Sequence, residues 1–284
     1  SLHNSFSRNG TAEMRRMILG LPAFAYVVAM GPVQAAEAPF IPHRAIYDLT
    51  LEKSTGTSAP ASARGRIAFD FSGSACEGFV TTFRQVTELQ PSEGESRTSD
   101  MRSTTFEDGR AKMLRFKIET LVNGRLAETI DGTAQKADDG EALSIDLRAP
   151  KPSKHDFGVN PLFPTEQART LIAAAKEGKR TYEAKVFDGS DTGEKIFDTL
   201  TVIGAQATSA PDDSALREAL KNVPRWPVVV SYFDPGKPDA TPSYILGFDL
   251  YENGVSGNLR LDYGDFVLAG KVSKYEPLPV KECK

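Results

Sequence analysis

The sequence predicts a mainly β protein, built as one large antiparallel sheet that curls on itself, with about two short helices. From His43 onward, apolar and polar residues alternate with a period of two. Asn-Gly and Asp-Gly dipeptides separate the alternating runs, and only two stretches carry a helical period instead. We expect curling because a long, flat, open sheet would leave adhesive edges.

The strand prediction is clearest in three alternating runs. Residues 45–51, 67–71 and 114–118 each place apolar side chains at every second position, as a strand with one buried face does. Counting such runs along the chain predicts about twelve to fourteen strands. Hairpin turns are predicted at six dipeptides whose residues tolerate positive φ: Asp108-Gly109, Asn123-Gly124, Asp131-Gly132, Asp139-Gly140, Asp188-Gly189 and Asn253-Gly254.

Two helices interrupt the strands. The first is predicted to begin at Pro164, with an apolar stripe that ends before Gly178. The second is predicted over Asp212–Asn222, where acidic residues lie at the positive end of the helix dipole.

Composition limits the class of protein. The 284 residues are 40% hydrophobic, 25% charged and 9% aromatic, which is typical of a folded globular protein and excludes collagen, a disordered tail and a coiled coil. The net charge of −4 does not favour binding to nucleic acid, which requires a basic field. Three histidines and two cysteines leave little material for a metal site, so we expect no metal or cofactor.

Residues 1–35 are predicted to be a leader and secretory signal peptide. Arg15 and Arg16 precede an uncharged apolar run over Met17–Met30, and Gly31-Pro32 ends that run. Val33-Gln34-Ala35 then places small residues at a cleavage site after Ala35. The run is shorter than the ~20 residues that cross a membrane, so we expect cleavage and not anchoring.

Cleavage would leave a single domain over residues 36–284 with a net charge of −6, because the leader carries three arginines and one glutamate. No later apolar run is long enough for a membrane-spanning helix. The mature protein is therefore expected in an oxidising compartment, most simply the periplasm.

Cys76 and Cys283 are the only thiols. An even count in an oxidising compartment predicts one disulfide, and closing so long a loop restricts the unfolded chain by up to about 5 kcal/mol. A metal pair and a redox dithiol are the alternatives. Both fit less well, because there is no C-x-x-C motif and two isolated cysteines need further ligands.

No residue is predicted to be catalytic. His43 and His155 are the histidines left after export, and without a G-x-S-x-G motif each is expected to be a surface or capping group. Asp191-Thr192-Gly193 matches the aspartic-protease triplet but lacks the apolar residues that precede it in that family. Asp188–Gly193 also partly matches a calcium loop, although Thr199 occupies the bidentate position. A hairpin turn is the favoured interpretation.

A further group of apolar residues is expected to face the inside of the curled sheet. Most of them should be core, but an aromatic lining also leaves open a cavity for an apolar ligand. These residues are Leu162-Phe163, Trp226, Val228–Val230, Tyr232-Phe233, Tyr244 and Phe248.

The residues Pro42–Leu49 (PHRAIYDL), Asp188–Asp191, Ile203-Gly204 and the pair Cys76 and Cys283 resemble those of the EipB-type cell-envelope integrity proteins, a bacterial periplasmic family. The resemblance implies a β-spiral, meaning a broken and overwound β-barrel, with a disulfide important for function. It also implies a role in maintaining the envelope under stress, with a periplasmic tetratricopeptide-repeat protein as partner. It supplies no catalytic residues.

From these observations we expect a non-enzymatic periplasmic protein that supports the cell envelope through contacts with protein partners. The alternative is a periplasmic carrier of a lipid or another apolar ligand.

Overall fold

The computed structural model describes residues 40–237 and 241–283, which form fourteen strands and two helices. The strands are β1 (His43–Ser54), β2 (Ser62–Ser74), β3 (Gly78–Gln90), β4 (Arg97–Glu107), β5 (Met113–Val122), β6 (Arg125–Lys136), β7 (Leu143–Ala149), β8 (Ser153–Phe157), β9 (Thr181–Val186), β10 (Phe197–Ile203), β11 (Arg225–Phe233), β12 (Tyr244–Tyr251), β13 (Ser256–Asp262) and β14 (Phe266–Pro277). The helices are α1 (Pro164–Lys176) and α2 (Ser214–Arg217). The predicted mainly β class is confirmed, and the predicted signal peptide lies outside the described residues.

All fourteen strands belong to one antiparallel sheet, in the order β8-β7-β6-β5-β4-β3-β2-β1-β14-β13-β12-β11-β10-β9. The chain runs outward from β1 to β8, crosses through α1, and returns from β9 to β14. At the centre of the sheet β1 pairs with β14, with Ala45 opposite Tyr275 and Leu49 opposite Gly270.

The sheet curls until its two edges approach each other, but it does not close into a barrel. Leu162, between β8 and α1, forms a parallel bridge with Val186 at the end of the other edge strand, β9. His155 of β8 contacts Glu194 in the loop after β9, with 2.6 Å between Nε2 and Oε2. The curled sheet therefore has a concave inner face, as the sequence predicts.

Five of the six predicted turn dipeptides lie between strands, and Asp131-Gly132 is the exception. These two residues lie inside β6, at an irregularity in its pairing with β7. A Cβ on Gly132 would come within 2.7 Å of Leu147 and 2.8 Å of Phe116. The glycine is needed there for close packing of side chains and not for a turn, so the prediction at this site was wrong.

Helix α1 begins and ends where the sequence predicts. Pro164 occupies its first turn, where a missing N–H costs nothing, and the helix is over before Gly178. Its buried residues Leu171, Ile172, Ala174 and Ala175 pack against β10, β11 and β12, forming one hydrophobic cluster with Trp226, Val228 and Val230.

Helix α2 is shorter than the predicted Asp212–Asn222. Only Ser214–Arg217 is helical, and the chain continues as turns. The carboxylate of Asp213 does not cap the helix but accepts hydrogen bonds from the backbone N–H groups of Asn258 (2.6 Å) and Val272 (2.7 Å). These hydrogen bonds hold the segment against β13 and β14, so tertiary contacts determine its conformation more than its helical propensity does.

Two further hydrophobic clusters complete the core. One lies under β5, β6 and β7 and includes Phe163, Phe187 and Ile196. The other joins β1, β2, β13 and β14 to Leu216 and Leu220. Between these clusters the inner face of the sheet carries side chains that are only partly buried, and this part of the inner face is the candidate site.

Candidate functional site

Five aromatic rings from β10, β11, β12, β14 and the turn before β14 form a continuous series on the inner face. Ring centroids are 5.7 Å apart for Phe197 and Tyr232, 5.9 Å for Tyr232 and Tyr244, 5.4 Å for Tyr244 and Tyr263, and 4.9 Å for Tyr263 and Phe266. Such spacing is that of favourable aromatic pairs. We call these five residues the aromatic wall.

The aromatic wall is enclosed but not fully packed. Tyr232 and Tyr244 lie on the same face as the buried Val228 and Val230 yet are only partly buried, and Tyr263 is 39% exposed. Burial nevertheless raises the pKa of the Tyr232, Tyr244 and Tyr263 hydroxyls above their usual range. Partial exposure together with desolvation is what a concave surface produces, so the rings can contact a ligand.

Strands β3 and β4 supply a second, more polar surface. Eight inward positions at the middle of these strands form four cross-strand pairs, and six of the eight side chains carry a hydroxyl or an amide. We call these six the polar wall: Thr81, Gln85, Thr87, Ser99, Ser103 and Thr105. The other two inward residues are Phe83 and Met101, and apart from Thr87 all eight are only partly buried.

The two walls meet at one hydrogen bond. The Gln85 side-chain amide donates to the Tyr263 hydroxyl over 3.1 Å, although the residues are 178 positions apart in the sequence. The same amide donates to Thr87 Oγ1 over 3.2 Å. This contact bounds the candidate site at one end.

Charged groups lie near the start of the aromatic wall. Lys195 Nζ lies 5.5 Å from the centroid of the Phe197 ring and donates to the carboxylates of Asp191 and Asp234, the latter over 2.9 Å. Hydrogen bonds to these two carboxylates raise the pKa of Lys195. The charge of Asp188 adds to the rise in the pKa of Tyr232.

The loop that sequence analysis singled out, Asp188–Gly193, has a structural role. It joins the antiparallel strands β9 and β10, as the hairpin interpretation predicts, although the connection is long. Asp188 accepts hydrogen bonds from the backbone N–H (2.9 Å) and hydroxyl (2.6 Å) of Ser190. Thr199, the bidentate position of the calcium hypothesis, donates its hydroxyl to the Ala184 carbonyl over 2.8 Å instead.

The glycines of this loop allow it to pack against the hydrophobic cluster under β5, β6 and β7, in the half of the sheet formed by β1 to β8. Gly189 has φ +80°, and a Cβ built there would lie 2.5 Å from the Phe116 ring. A Cβ on Gly193 would lie 2.8 Å from Ile130. The loop therefore connects the core of one half to strands of the other half.

The expectation that His43 is a surface or capping group was wrong. The side chain is 2% exposed and lies among aromatic rings, with Phe69 at 5.5 Å and Tyr275 at 5.8 Å between centroids. Nδ1 donates to the Ile41 carbonyl over 2.8 Å, and burial lowers the pKa of the imidazole. Among the residues that the structure describes, neither the buried Nε2 nor the buried Tyr275 hydroxyl has a hydrogen-bond partner.

His155 is partly exposed and does not form a catalytic relay. Its Nε2 lies 3.1 Å from the Ser153 hydroxyl and 2.6 Å from the Glu194 carboxylate. A serine–histidine–acid relay requires the serine and the acid on opposite ring nitrogens. Here both contacts use the same nitrogen, so Ser153, His155 and Glu194 do not form that relay.

Cys76 and Cys283 form the predicted disulfide, with 5.7 Å between their Cα atoms. The bond joins the turn between β2 and β3 to the segment after β14, and the Leu278 N–H donates to the Pro42 carbonyl over 2.8 Å. Within residues 40–237 and 241–283 no cluster of three potential metal ligands is present, and neither helix is long and apolar enough to cross a membrane.

The other predicted lining residues are divided among the core, the site and the outer face of the sheet. Val229 lies on the opposite face of β11 from the buried Val228 and Val230 and is 44% exposed, so its prediction as a lining residue was wrong. Phe163, Trp226, Val228 and Val230 are buried. Tyr232, Tyr244 and Phe248 lie on the partly exposed inner face. The polar wall was not predicted from the sequence, although Ser99, Ser103 and Thr105 occupy three of four alternate positions of β4. Phe197, Tyr263 and Phe266 of the aromatic wall were not predicted either.

These features define an open, curled, antiparallel β protein whose concave face has one aromatic and one polar wall. A family model described as EipB-like matches residues 34–279, and the chain belongs to this family. The cell envelope integrity protein EipB of Brucella abortus (strain 2308) is 36% identical over 259 residues, which cover 90% of this chain and 91% of that protein.

A solved structure has the same fold. It is the crystal structure of a β-barrel-like protein of a domain of unknown function, also from Brucella abortus. The TM-score is 0.81 at 34% sequence identity, and the match covers 85% of this chain and all of that one.

Proposed function

We propose that this protein supports the integrity of the cell envelope from the periplasm, without catalysis and through contacts with protein partners. The observation that carries the proposal is its 36% identity, over 90% of the chain, to a protein named for cell envelope integrity. The geometry of the two histidines agrees with a non-enzymatic role, because His43 is enclosed by aromatic rings and His155 makes no relay.

Deletion of the gene followed by detergent challenge tests the envelope role. We expect lower survival of the deletion strain, and recovery when the wild-type chain is supplied. Equal survival of the deletion and parent strains would contradict the proposal.

The edges of the sheet support contacts with protein partners. Strands β8 and β9 each pair with one neighbouring strand of the sheet. On its other side β9 meets Leu162, through the bridge at Val186 and a hydrogen bond from the Leu162 N–H to the Lys185 carbonyl. Unpaired backbone groups on such edges are able to pair with another chain. A photo-crosslinking residue at the exposed positions Lys154 or Glu183 should capture a specific protein in cells, whereas the same residue at Arg102, in the middle of the sheet, should not. Equal capture at all three positions, or none at the edges, would argue against edge contacts.

A second candidate function is the binding of a lipid or another apolar ligand. The specific observation in its favour is the partly exposed aromatic wall, since large apolar side chains that face the inside of a sheet are normally buried. Native mass spectrometry of protein purified from periplasm should detect a co-purified ligand. Repeated detection of the unliganded mass alone would count against this function.

A further inference from the structure

The polar wall is poorly suited to an acyl chain. Its six residues present hydroxyl or amide groups, and the other two inward residues at the middle of β3 and β4 are Phe83 and Met101. Alkyl carbons would displace water from these groups and return no hydrogen bonds, which costs about 1–3 kcal/mol for each polar group left unpaired. A ligand that lies on this part of the concave face must therefore offer hydrogen-bonding groups to β3 and β4.

The aromatic wall sets the opposite requirement. Tyr263 and Phe266 stack on each other with planes within 29°, so each covers one face of its neighbour, and the Tyr263 side chain is still 39% exposed. Three of the five residues also carry hydroxyls, so the wall has polar tips beside apolar faces. A ligand with flat, weakly apolar faces and a polar rim matches this surface.

Charge restricts the ligand further. Among the described residues, the polar wall has no Lys or Arg, and Lys195 near the aromatic wall is already bound to Asp191 and Asp234. Burial is the main cause of the raised pKa of Tyr232 and Tyr244, and the nearby Asp188 adds to it, so negative charge lies on that side. An anionic ligand would find no free cation in either wall, so an uncharged ligand is favoured.

We propose that the concave face between the aromatic wall and the polar wall binds a neutral saccharide chain. The C–H faces of the sugar rings lie on Tyr244 and Tyr263. The sugar hydroxyls bond to Ser103, Thr105 and the side-chain oxygen of Gln85, whose amide nitrogen already donates to Thr87 and Tyr263. Pyranose rings combine apolar faces with a rim of hydroxyls, which is the combination that the two walls require. This inference rests on the second candidate function only in that it places a ligand on the same concave face; it replaces the apolar ligand with a saccharide.

Calorimetric titration of the purified chain with four probes tests the inference. Maltotetraose and chitotetraose are neutral saccharides, dodecyl maltoside carries sugars on an alkyl chain, and laurate is an acyl chain alone. We expect at least one tetrasaccharide to bind with a Kd below about 1 mM. Tighter binding of dodecyl maltoside than of maltotetraose would place the natural sugar on a lipid, and equal or weaker binding would indicate a free glycan.

Variants locate the binding. Tyr244→Ala should weaken saccharide binding by about tenfold or more, the effect expected when one aromatic contact is lost. Tyr263→Phe and Ser103→Val, which remove single hydroxyls with little change in shape, keep the test valid if Tyr244→Ala does not fold. Val202→Ala is the matched control, because this side chain is exposed on β10 outside both walls. Saccharide affinity that is the same in all folded variants would overturn the inference.

The probes also separate failure of this inference from failure of the function on which it rests. Binding of laurate without binding of any saccharide would overturn the saccharide assignment and leave an apolar-ligand carrier in place. Binding of none of the four probes up to about 10 mM would contradict both.

Discussion

Glu107, at the end of β4, accepts a hydrogen bond of 2.8 Å from the backbone N–H of Thr165 in the first turn of α1. The N-cap residue of this helix, Phe163, has no side-chain acceptor, so the carboxylate from a distant strand takes that role. Lys136 of β6 donates to Glu166 over 2.8 Å and lies 4.4 Å from the Phe163 ring. The start of α1 is thus bound to the first half of the sheet, while its apolar face packs on the second half.

Replacing Glu107 by Ala should lower the free energy of unfolding by about 2 kcal/mol, because two backbone N–H groups at a buried helix start lose their acceptor. Urea denaturation monitored by circular dichroism measures the change. Glu107→Gln retains one acceptor oxygen and should lose less. An unchanged urea midpoint for Glu107→Ala would show that the carboxylate does not stabilise the helix start.

The Glu107 carboxyl group should also make the free energy of unfolding depend on pH. Burial raises the pKa of Glu107, and the N–H groups of Thr165 and Glu166 offset part of that rise. Between the unfolded pKa of about 4.3 and the raised folded value, the folded state binds more protons, so this group's contribution to stability falls as pH rises. The stability difference between wild type and Glu107→Gln should change with pH in that direction above about pH 4. A difference that is constant over this range would contradict the expectation.

His43 should make the free energy of unfolding depend on pH in the opposite direction to Glu107. Burial lowers its pKa, so the unfolded state binds more protons between the folded pKa and about 6.5, and stability is lost as pH falls through that interval. The slope from this group is at most about 1.4 kcal/mol per pH unit. His43→Phe should reduce the loss of stability between about pH 6.5 and pH 5, and thermal unfolding across this range measures it. Parallel pH profiles for the two proteins would show that His43 does not contribute.

Gly189→Ala should destabilise the protein by about 2 kcal/mol or more, because the new methyl group would overlap the Phe116 ring. Gly124→Ala is the matched control. Both glycines have similar positive φ, +80° and +77°, but nothing lies within 4 Å of a Cβ on Gly124. The control should therefore lose only about 1 kcal/mol of backbone strain. Equal losses measured by urea denaturation would show that packing of this loop is not the cause.

Cys76→Ser should lower the melting temperature under oxidising conditions, because the 207-residue separation between the cysteines makes the loop a large restriction on the unfolded chain. The upper limit of the loss is about 5 kcal/mol. Adding dithiothreitol during unfolding should remove the difference between variant and wild type. A variant that melts with the wild type in oxidising buffer would contradict the role of the disulfide.

Local rules predicted much of the fold. Alternation fixes which face of a strand is buried, so β1, β2 and β5 could be placed from residues such as Ala45, Ile67 and Leu114. The boundaries of α1 followed from Pro164 and Gly178. These features depend on neighbours in the sequence, and a single sequence contains them.

Features that depend on distant contacts were beyond reach. The burial of His43, the pairing of Gln85 with Tyr263 and the cap that Glu107 gives to α1 each join residues from separate strands or loops. The turn predicted at Asp131-Gly132 was wrong for the same reason, because Gly132 is needed for close packing against Leu147 of the next strand. In the aromatic half of the candidate site, Tyr232 and Tyr244 were predicted from the sequence, but Phe197, Tyr263 and Phe266 were not. The polar half depends on the register of β3 and β4.

The pairing of β1 with β14 has a consequence for how the molecule folds. Strand β14 follows β1 by more than two hundred residues, so one side of β1 has no partner until that later part of the chain is also available for folding. Contacts so far apart in the chain slow folding and prolong the time during which an unpaired strand can join a foreign one. Because Cys283 follows β14, the disulfide can form only when the whole of β14 is present. A chain truncated before Cys283 cannot form the disulfide at all.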